Sequence, residues 1–134
     1  MRFILDTHLL LWWLTDSPLL SASARQLIAD PDNTVFVSAV SLWEIWLKVS
    51  LGMLGLRADF EERLAAEGFE NLPVTSAQTR EIASLPWRHR DPFDRMLIAQ
   101  ARTEKMTLLT ADDTVAGYGE SVRLVPRAAI GRKS

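Results

Sequence analysis

Four carboxylates in this chain stand where an α/β fold could gather them for chemistry: Asp6, Glu44, Asp94 and Asp112. Asp6 ends the apolar run Phe3-Ile4-Leu5, and such a run reads as a central parallel strand buried on both faces. The carboxyl end of that kind of strand is where open α/β sheets place their sites. Glu44 interrupts an otherwise apolar helix, Asp94 falls in the first turn of another, and Asp112 follows a later strand. Carboxylates brought together repel one another, and hard divalent cations such as Mg²⁺ or Mn²⁺ take oxygen ligands and relieve that repulsion. A cation that holds phosphate oxygens and activates a water supplies the ingredients of phosphodiester hydrolysis.

Each of these residues also has an ordinary structural role open to it. Asp6 can cap the helix that follows, and Glu44 can pair with Lys48 four residues on. Asp94 sits at N3, where the helix dipole favours a carboxylate, and Asp112 can cap a short turn through Val115. Asp91 has the spacing of an N-cap, and Asp113 reads as solvated. The hydroxyls of Thr7 and Thr110 can orient water or a metal ligand, or cap a helix. Arg88, His89, Arg90 and Arg95 surround the Asp91 to Asp94 stretch, so Arg88, Arg90 and Arg95 are candidates to neutralise a phosphate backbone, against a solvated loop with Arg95 in an ion pair. His8 and His89, the two histidines, are too few and too far apart in sequence to suggest a histidine-based metal site, and His8 reads as packed or hydrogen-bonded near the first helix rather than as a general base. The five tryptophans are core or interface residues before they are base-stacking platforms.

The elements that would position these groups alternate strand and helix. Strands are expected at Arg2 to Leu5, Thr34 to Val37, Phe69 to Val74, Thr107 to Thr110 and Val122 to Val125, with Pro73 putting the third at an edge or at its end. Helices are expected from His8 to Leu14, Ala22 to Ala29 behind a Ser21 cap, Ala39 to about Leu51 behind Ser38 or Ser41, and Arg57 to Glu67. Thr75 and Gln78 have capping-box spacing for a helix to Ser84, and Asp91-Pro92 opens one that runs to about Lys105. The helix after Ser38 carries Leu42, Trp43, Ile45, Trp46, Leu47 and Val49, so it is expected to be largely buried. This alternation predicts an α/β domain with a mostly parallel central sheet and helices on both faces.

A chain of 134 residues reads as one domain, residues 1–134, that buries roughly two thirds of its unfolded surface. Without cysteine it has no disulfide, thiolate or zinc-finger chemistry, and a cytoplasmic location is expected. Asp6 and His8 break the one stretch that resembles a signal peptide, and Leu9 to Leu14 is too short to cross a bilayer, so no membrane association is expected. A net charge of −2 argues against a general nucleic-acid coat. Yet residues 1–77 hold 5 basic against 10 acidic residues and residues 78–134 hold 10 against 7, which leaves room for a local basic surface. The tail from about Arg127 is basic and expected to be loose.

The motifs taken together resemble a known family. Asp6-Thr7-His8-Leu9-Leu10-Leu11-Trp12, Ser38-Ala39-Val40-Ser41-Leu42-Trp43-Glu44-Ile45, His89-Arg90-Asp91-Pro92-Phe93-Asp94-Arg95-Met96-Leu97-Ile98-Ala99-Gln100-Ala101 and Leu109-Thr110-Ala111-Asp112 are similar, in order, to the four acidic motifs of PIN-domain ribonucleases, above all the VapC-type toxins of bacterial toxin–antitoxin pairs. The likeness runs over nearly the whole chain. It implies a three-layer α/β/α domain whose acidic pocket binds Mg²⁺ or Mn²⁺ and cleaves single-stranded or loop RNA, leaving a 5′-phosphate and a 3′-hydroxyl. Asp6, Glu44 and Asp94 match the three most regular acids, Asp112 matches the fourth, and Thr110 matches a hydroxyl near it. The resemblance also implies a homodimer restrained by a small antitoxin protein. Asp113 doubles the fourth acid and Asp91 offers a second carboxylate in the third motif; with Asp91 suited to capping, Asp94 is the expected ligand.

Two rival classes share some of these features. An Asp-based phosphoryl-transfer protein would use Asp6 as nucleophile, but His8 stands where phosphatases of that type carry a second acid, and an arginine follows Leu124-Val125-Pro126 where receivers have lysine. A non-catalytic module would use the apolar helices from Leu9 and Ala39 to hold a partner.

Overall fold

The computed structural model describes residues 1–129, so most of the expected loose tail, from residue 130 onward, lies outside the described residues. Five strands form one all-parallel sheet in the order β3-β2-β1-β4-β5, with β1 Arg2–Leu5, β2 Thr34–Ser38, β3 Glu70–Leu72, β4 Thr107–Thr110 and β5 Val122–Leu124. The helices are α1 Thr7–Leu14, α2 Ala22–Ala29, α3 Ala39–Ser50, α4 Phe60–Ala66, α5 Ser76–Glu81, α6 Pro92–Glu104 and α7 Asp113–Ala116, with a 3₁₀ turn at Ile82–Ser84. No described helix is long and apolar enough to cross a membrane.

Strand β1 is buried along Phe3, Ile4 and Leu5 because it has neighbours on both edges and helices on both faces. The period of two divides its side chains between two cores. Phe3 and Leu5 join Val35, Val37 and Leu109 under α1, α2 and α4, while Ile4 joins Leu108 under α6 and α7. The result is three layers, α/β/α.

The chain builds the sheet from β1 outward through β2 and β3, then returns to add β4 and β5 on the far side of β1. Between β1 and β4, therefore, the connections leave the sheet in opposite directions, which opens a crevice at the carboxyl ends of those two strands. Asp6 follows β1 and Asp112 follows β4, so topology alone sets both acids at that crevice.

The local signals hold at most boundaries. Ser21 caps α2, Thr75 and Gln78 form a full capping box on α5, and Asp91 caps α6 with Pro92 in its first turn. Between the two candidates for α3, Ser38 is the cap, accepting from the Val40 N–H at 3.0 Å. Lys105 closes α6 in the left-handed region. Helix α4 is shorter than its composition predicts because Asp59 makes no side-chain cap bond and the preceding residues stay in turn geometry.

Helix α3 corrects an expectation. It is not largely buried: only Val40, Ser41, Glu44 and Ile45 form its inward stripe, and Trp43, Trp46 and Leu47 are exposed, Trp43 by 60%. The exposed indoles lean on single rings, Trp43 edge-on to Phe93 and Trp46 edge-on to Phe60. Only one stripe of α3 meets its neighbours α1, α6 and β2, so an all-round apolar sequence outruns the surface available to bury it.

Candidate metal centre at the β1–β4 crevice

Asp6 is held in place twice over. As N-cap of α1 its Oδ1 accepts the Leu9 N–H at 2.8 Å, and its Oδ2 accepts the Thr110 hydroxyl at 2.6 Å. Capping and a site role are thus compatible, since each uses a different oxygen. The carboxyl is 4% exposed, and burial pushes it above the usual carboxylate range, against the lowering effect of its hydrogen bonds to Thr110 and Leu9. The nearby Asp112 charge pushes the same way.

Asp94 lies one turn into α6, where the Asp91 cap fixes the backbone: Asp91 Oδ1 accepts from both the Phe93 and Asp94 N–H groups, at 2.8 and 3.2 Å. Its carboxyl is pushed up to about 6, chiefly by burial and further by the charges of Asp91 and Asp6, while the hydrogen bond from His89 pulls it back. The His89 Nε2 to Asp94 Oδ2 distance is 2.7 Å. Asp112 completes the group from the N-cap of α7, and ligand atoms of His89, Asp94 and Asp112 all lie within 4.8 Å of one another.

Glu44 reaches the crevice from α3. It is 4% exposed, and both its oxygens are engaged: Oε1 accepts the Thr7 hydroxyl at 2.7 Å and Oε2 accepts Lys48 Nζ at 2.6 Å. The i,i+4 pair with Lys48 and the buried location therefore coexist. Glu44 lies outside the His89–Asp94–Asp112 group and connects toward Asp6 through Thr7, whose hydroxyl also contacts Ser41 at 3.1 Å. Asp113 is exposed in the first turn of α7.

Two expectations change. Arg95 does not face a nucleic acid: it is 3% exposed, and its guanidinium donates to the carbonyls of Pro86, Ile82 and Leu85 and to Tyr118 Oη while stacking on Trp87 at 3.9 Å. With those donors spent inside, it braces the loop before α6; Arg88 and Arg90 remain exposed on that loop. His8, expected to be packed or hydrogen-bonded near the first helix, meets Trp12 of that helix with a tilted ring but is exposed.

Sequence reasoning passed over His89. Distance along the chain from His8 spoke against a two-histidine site, yet a single histidine five residues before Asp94 needs only a turn to meet it. The loop is held for that meeting by Tyr118, whose hydroxyl accepts the His89 N–H at 2.9 Å and donates to the Pro86 carbonyl at 2.9 Å. The signal available was the local His89-to-Asp94 spacing before a capped helix.

The group suits a divalent cation. Two carboxylates and one imidazole converge, and Asp6 acts on Asp94 electrostatically; burial raises Asp6 and Asp94 first and the neighbouring negative charge adds to it, a charge that a cation would offset.

Comparisons with known proteins agree with this architecture. The family model described as "PIN domain" matches residues 3–120. No curated protein matches the chain. Among solved structures, the fold resembles VapBC2 from Rickettsia felis bound to a promoter DNA fragment, with a TM-score of 0.72 and 18% identity over 96% of this chain and 100% of that one. It also resembles DNA-bound VapBC from Salmonella typhimurium, with a TM-score of 0.65 and 15% identity over 94% and 98% of the two chains. VapBC-5 from Mycobacterium tuberculosis, a member of the VapBC family of toxin–antitoxin systems, gives 0.58 and 22% over 93% and 98%.

Proposed function

The chain belongs to the PIN domain family, and from that membership we propose that it is a Mg²⁺- or Mn²⁺-dependent endoribonuclease, the toxin of a toxin–antitoxin pair. The observation that carries this reading is the gathering of His89, Asp94 and Asp112 within ligand distance of one another beside the buried Asp6. Asp94 and Asp112 hold the cation, with Asp6 supplying further negative charge and Glu44 bounding the site through Thr7. When bound, the ion polarises a phosphate oxygen and lowers the pKa of water. The chain's own residues do the rest. Thr110 fixes the Asp6 carboxylate, and Asp91 fixes the first turn of α6. His89 Nε2 stands 2.7 Å from Asp94 Oδ2 and orients that carboxyl toward the place a cation would take.

The toxin assignment and the protein antitoxin rest on the VapBC character of the similar structures and on the motif resemblance, and a homodimeric assembly rests on that resemblance alone. The test is cleavage of a mixed RNA pool by the purified chain with Mn²⁺, Mg²⁺ or EDTA, run beside Asp94→Asn. Cutting that needs the metal and is lost in the variant is the expected result. Folded protein that cuts nothing under either metal would overturn it and favour a non-catalytic partner-binding module.

A further inference from the structure

With Arg95 turned inward, the cation that meets substrate has to come from elsewhere, and the crevice supplies one. A cavity of about 280 Å³ opens beside the acids, lined by Asp6, His8, Trp12, Ala111, Asp112 and Arg127. His8 and Trp12 are four residues apart on α1 and so share one face, with ring centroids 6.0 Å apart at a 45° tilt. Asp6 caps the same helix, so the aromatic wall and the site carboxylate ride on one rigid element. The exposed His8 and half-buried Trp12 leave ring surface open to the cavity.

Arg127 is fixed on both sides. The Val125 N–H donates to the Thr110 carbonyl and the Ala128 N–H to the Leu19 carbonyl, each at 2.7 Å, and Pro126 restricts the backbone between them. The guanidinium is thereby presented to a cavity whose other charges are acidic, and among the described residues it forms no ion pair with Asp6 or Asp112. An aromatic wall, one cation and an acid cluster in a single cavity match what a stretch of RNA strand offers: a base to stack, a phosphate to hold and a phosphodiester to cleave.

We propose that this cavity is a nucleotide subsite of the single-stranded RNA substrate, in which a base stacks on Trp12 and His8 and Arg127 receives the phosphate beside the acids. The inference rests on the nuclease reading above and deepens it. It makes Trp12 and Arg127 binding residues, so their loss is felt in KM rather than in kcat.

The experiment is initial-rate cleavage of a fluorescein-labelled ten-nucleotide single-stranded RNA of mixed sequence, with Mn²⁺, by the full chain and by Arg127→Ala, Arg127→Lys, Trp12→Ala and Trp12→Phe. Arg127→Ala is expected to raise KM about tenfold and lower the slope of log KM against log salt by about one, with Arg127→Lys restoring most of both. Trp12→Ala is expected to raise KM roughly tenfold, and Trp12→Phe, which keeps a ring in place, far less. Since Trp12 is half-buried, thermal melting accompanies each variant, and Arg127, being exposed, gives the arm independent of folding. Wild-type KM and salt slope in Arg127→Ala would overturn the proposal, as would losses confined to kcat. Normal RNA handling with loss of a protein partner would overturn it too, making the cavity a partner contact. Wild-type protein that cuts no RNA at all is a different failure, that of the nuclease reading itself.

Discussion

Two clusters of buried polar side chains lie on this sheet, and they differ in kind. At the β2–α6 contact, Ser38, Gln78 and Gln100 are fully buried and neutral, and each hydrogen bond has its partner. Ser38 Oγ donates to Gln100 Oε1 at 2.6 Å, Gln100 Nε2 donates to Gln78 Oε1 at 3.1 Å and to the Pro73 carbonyl at 3.3 Å, and Gln78 Nε2 donates to Glu104 at 3.1 Å. At the β1–β4 crevice, Asp6 and Asp94 are also hydrogen-bonded, yet burial raises both carboxyls, and like charge adds to it, from Asp112 on Asp6 and from Asp91 and Asp6 on Asp94. Satisfied hydrogen bonds alone do not separate structure from function. The separating feature is excess charge of one sign that the protein itself does not neutralise.

Substitutions that remove one charge or one amide should keep the two clusters apart. The largest effect expected is on activity: Asp6→Asn keeps a residue that caps α1 well and changes only the charge, so the fold survives while metal-dependent RNA cleavage falls by more than about 100-fold. Equal rates for Asp6→Asn and wild type with added Mn²⁺ would put Asp6 in the same class as Gln100, a purely structural residue.

Next in size is the neutral cluster. Gln100→Ala removes the acceptor of the Ser38 hydroxyl and one of the two donors to Gln78 Oε1 and leaves a void under β2, so it should cost about 3 kcal/mol of stability by urea unfolding. Titration of Mn²⁺ by calorimetry into the folded variant should match wild type. A weakened Mn²⁺ isotherm would mean that the two clusters are coupled through α6.

The smallest effect is the most diagnostic. Asp94 carries a folded value of about 6 against an ordinary 3.8, so between those pH values the native chain holds a proton that the unfolded chain has released. Stability should therefore fall as pH rises through that window and stay lowered above it. In metal-free buffer at pH 7.5, Asp94→Asn should melt higher than wild type by a few degrees, on the order of 1 kcal/mol, and the gain should vanish near pH 4. Adding Mn²⁺ should reverse the order, because the ion stabilises only the chain that binds it. A variant that melts lower than wild type at pH 7.5 without metal would remove the repulsion on which the contrast rests.

The sequence determined most of the frame for local reasons. Phe3-Ile4-Leu5 has to be a central strand because it is apolar on both faces, and Ser21, Thr75 and Asp91 set helix starts because each cap uses backbone groups within three residues. The candidate acids Asp6, Glu44, Asp94 and Asp112 were legible too, since a charge beside buried apolar residues marks itself. Tertiary structure decided what depends on more distant partners. Arg95 turns inward because five carbonyl and hydroxyl acceptors of the 82–89 segment and Tyr118 converge on it, and no pattern of nearby residues foretells that. His89 meets Asp94 and Asp112 because Tyr118, some thirty residues on, holds its loop. The exposed face of α3 follows from which neighbours that helix packs against, and Arg127 lines the cavity beside Asp6 only because β5 pairs with β4. Periodicity and capping are read within a few residues, whereas which side chain fills a cavity is fixed by contacts that close loops of thirty to a hundred residues.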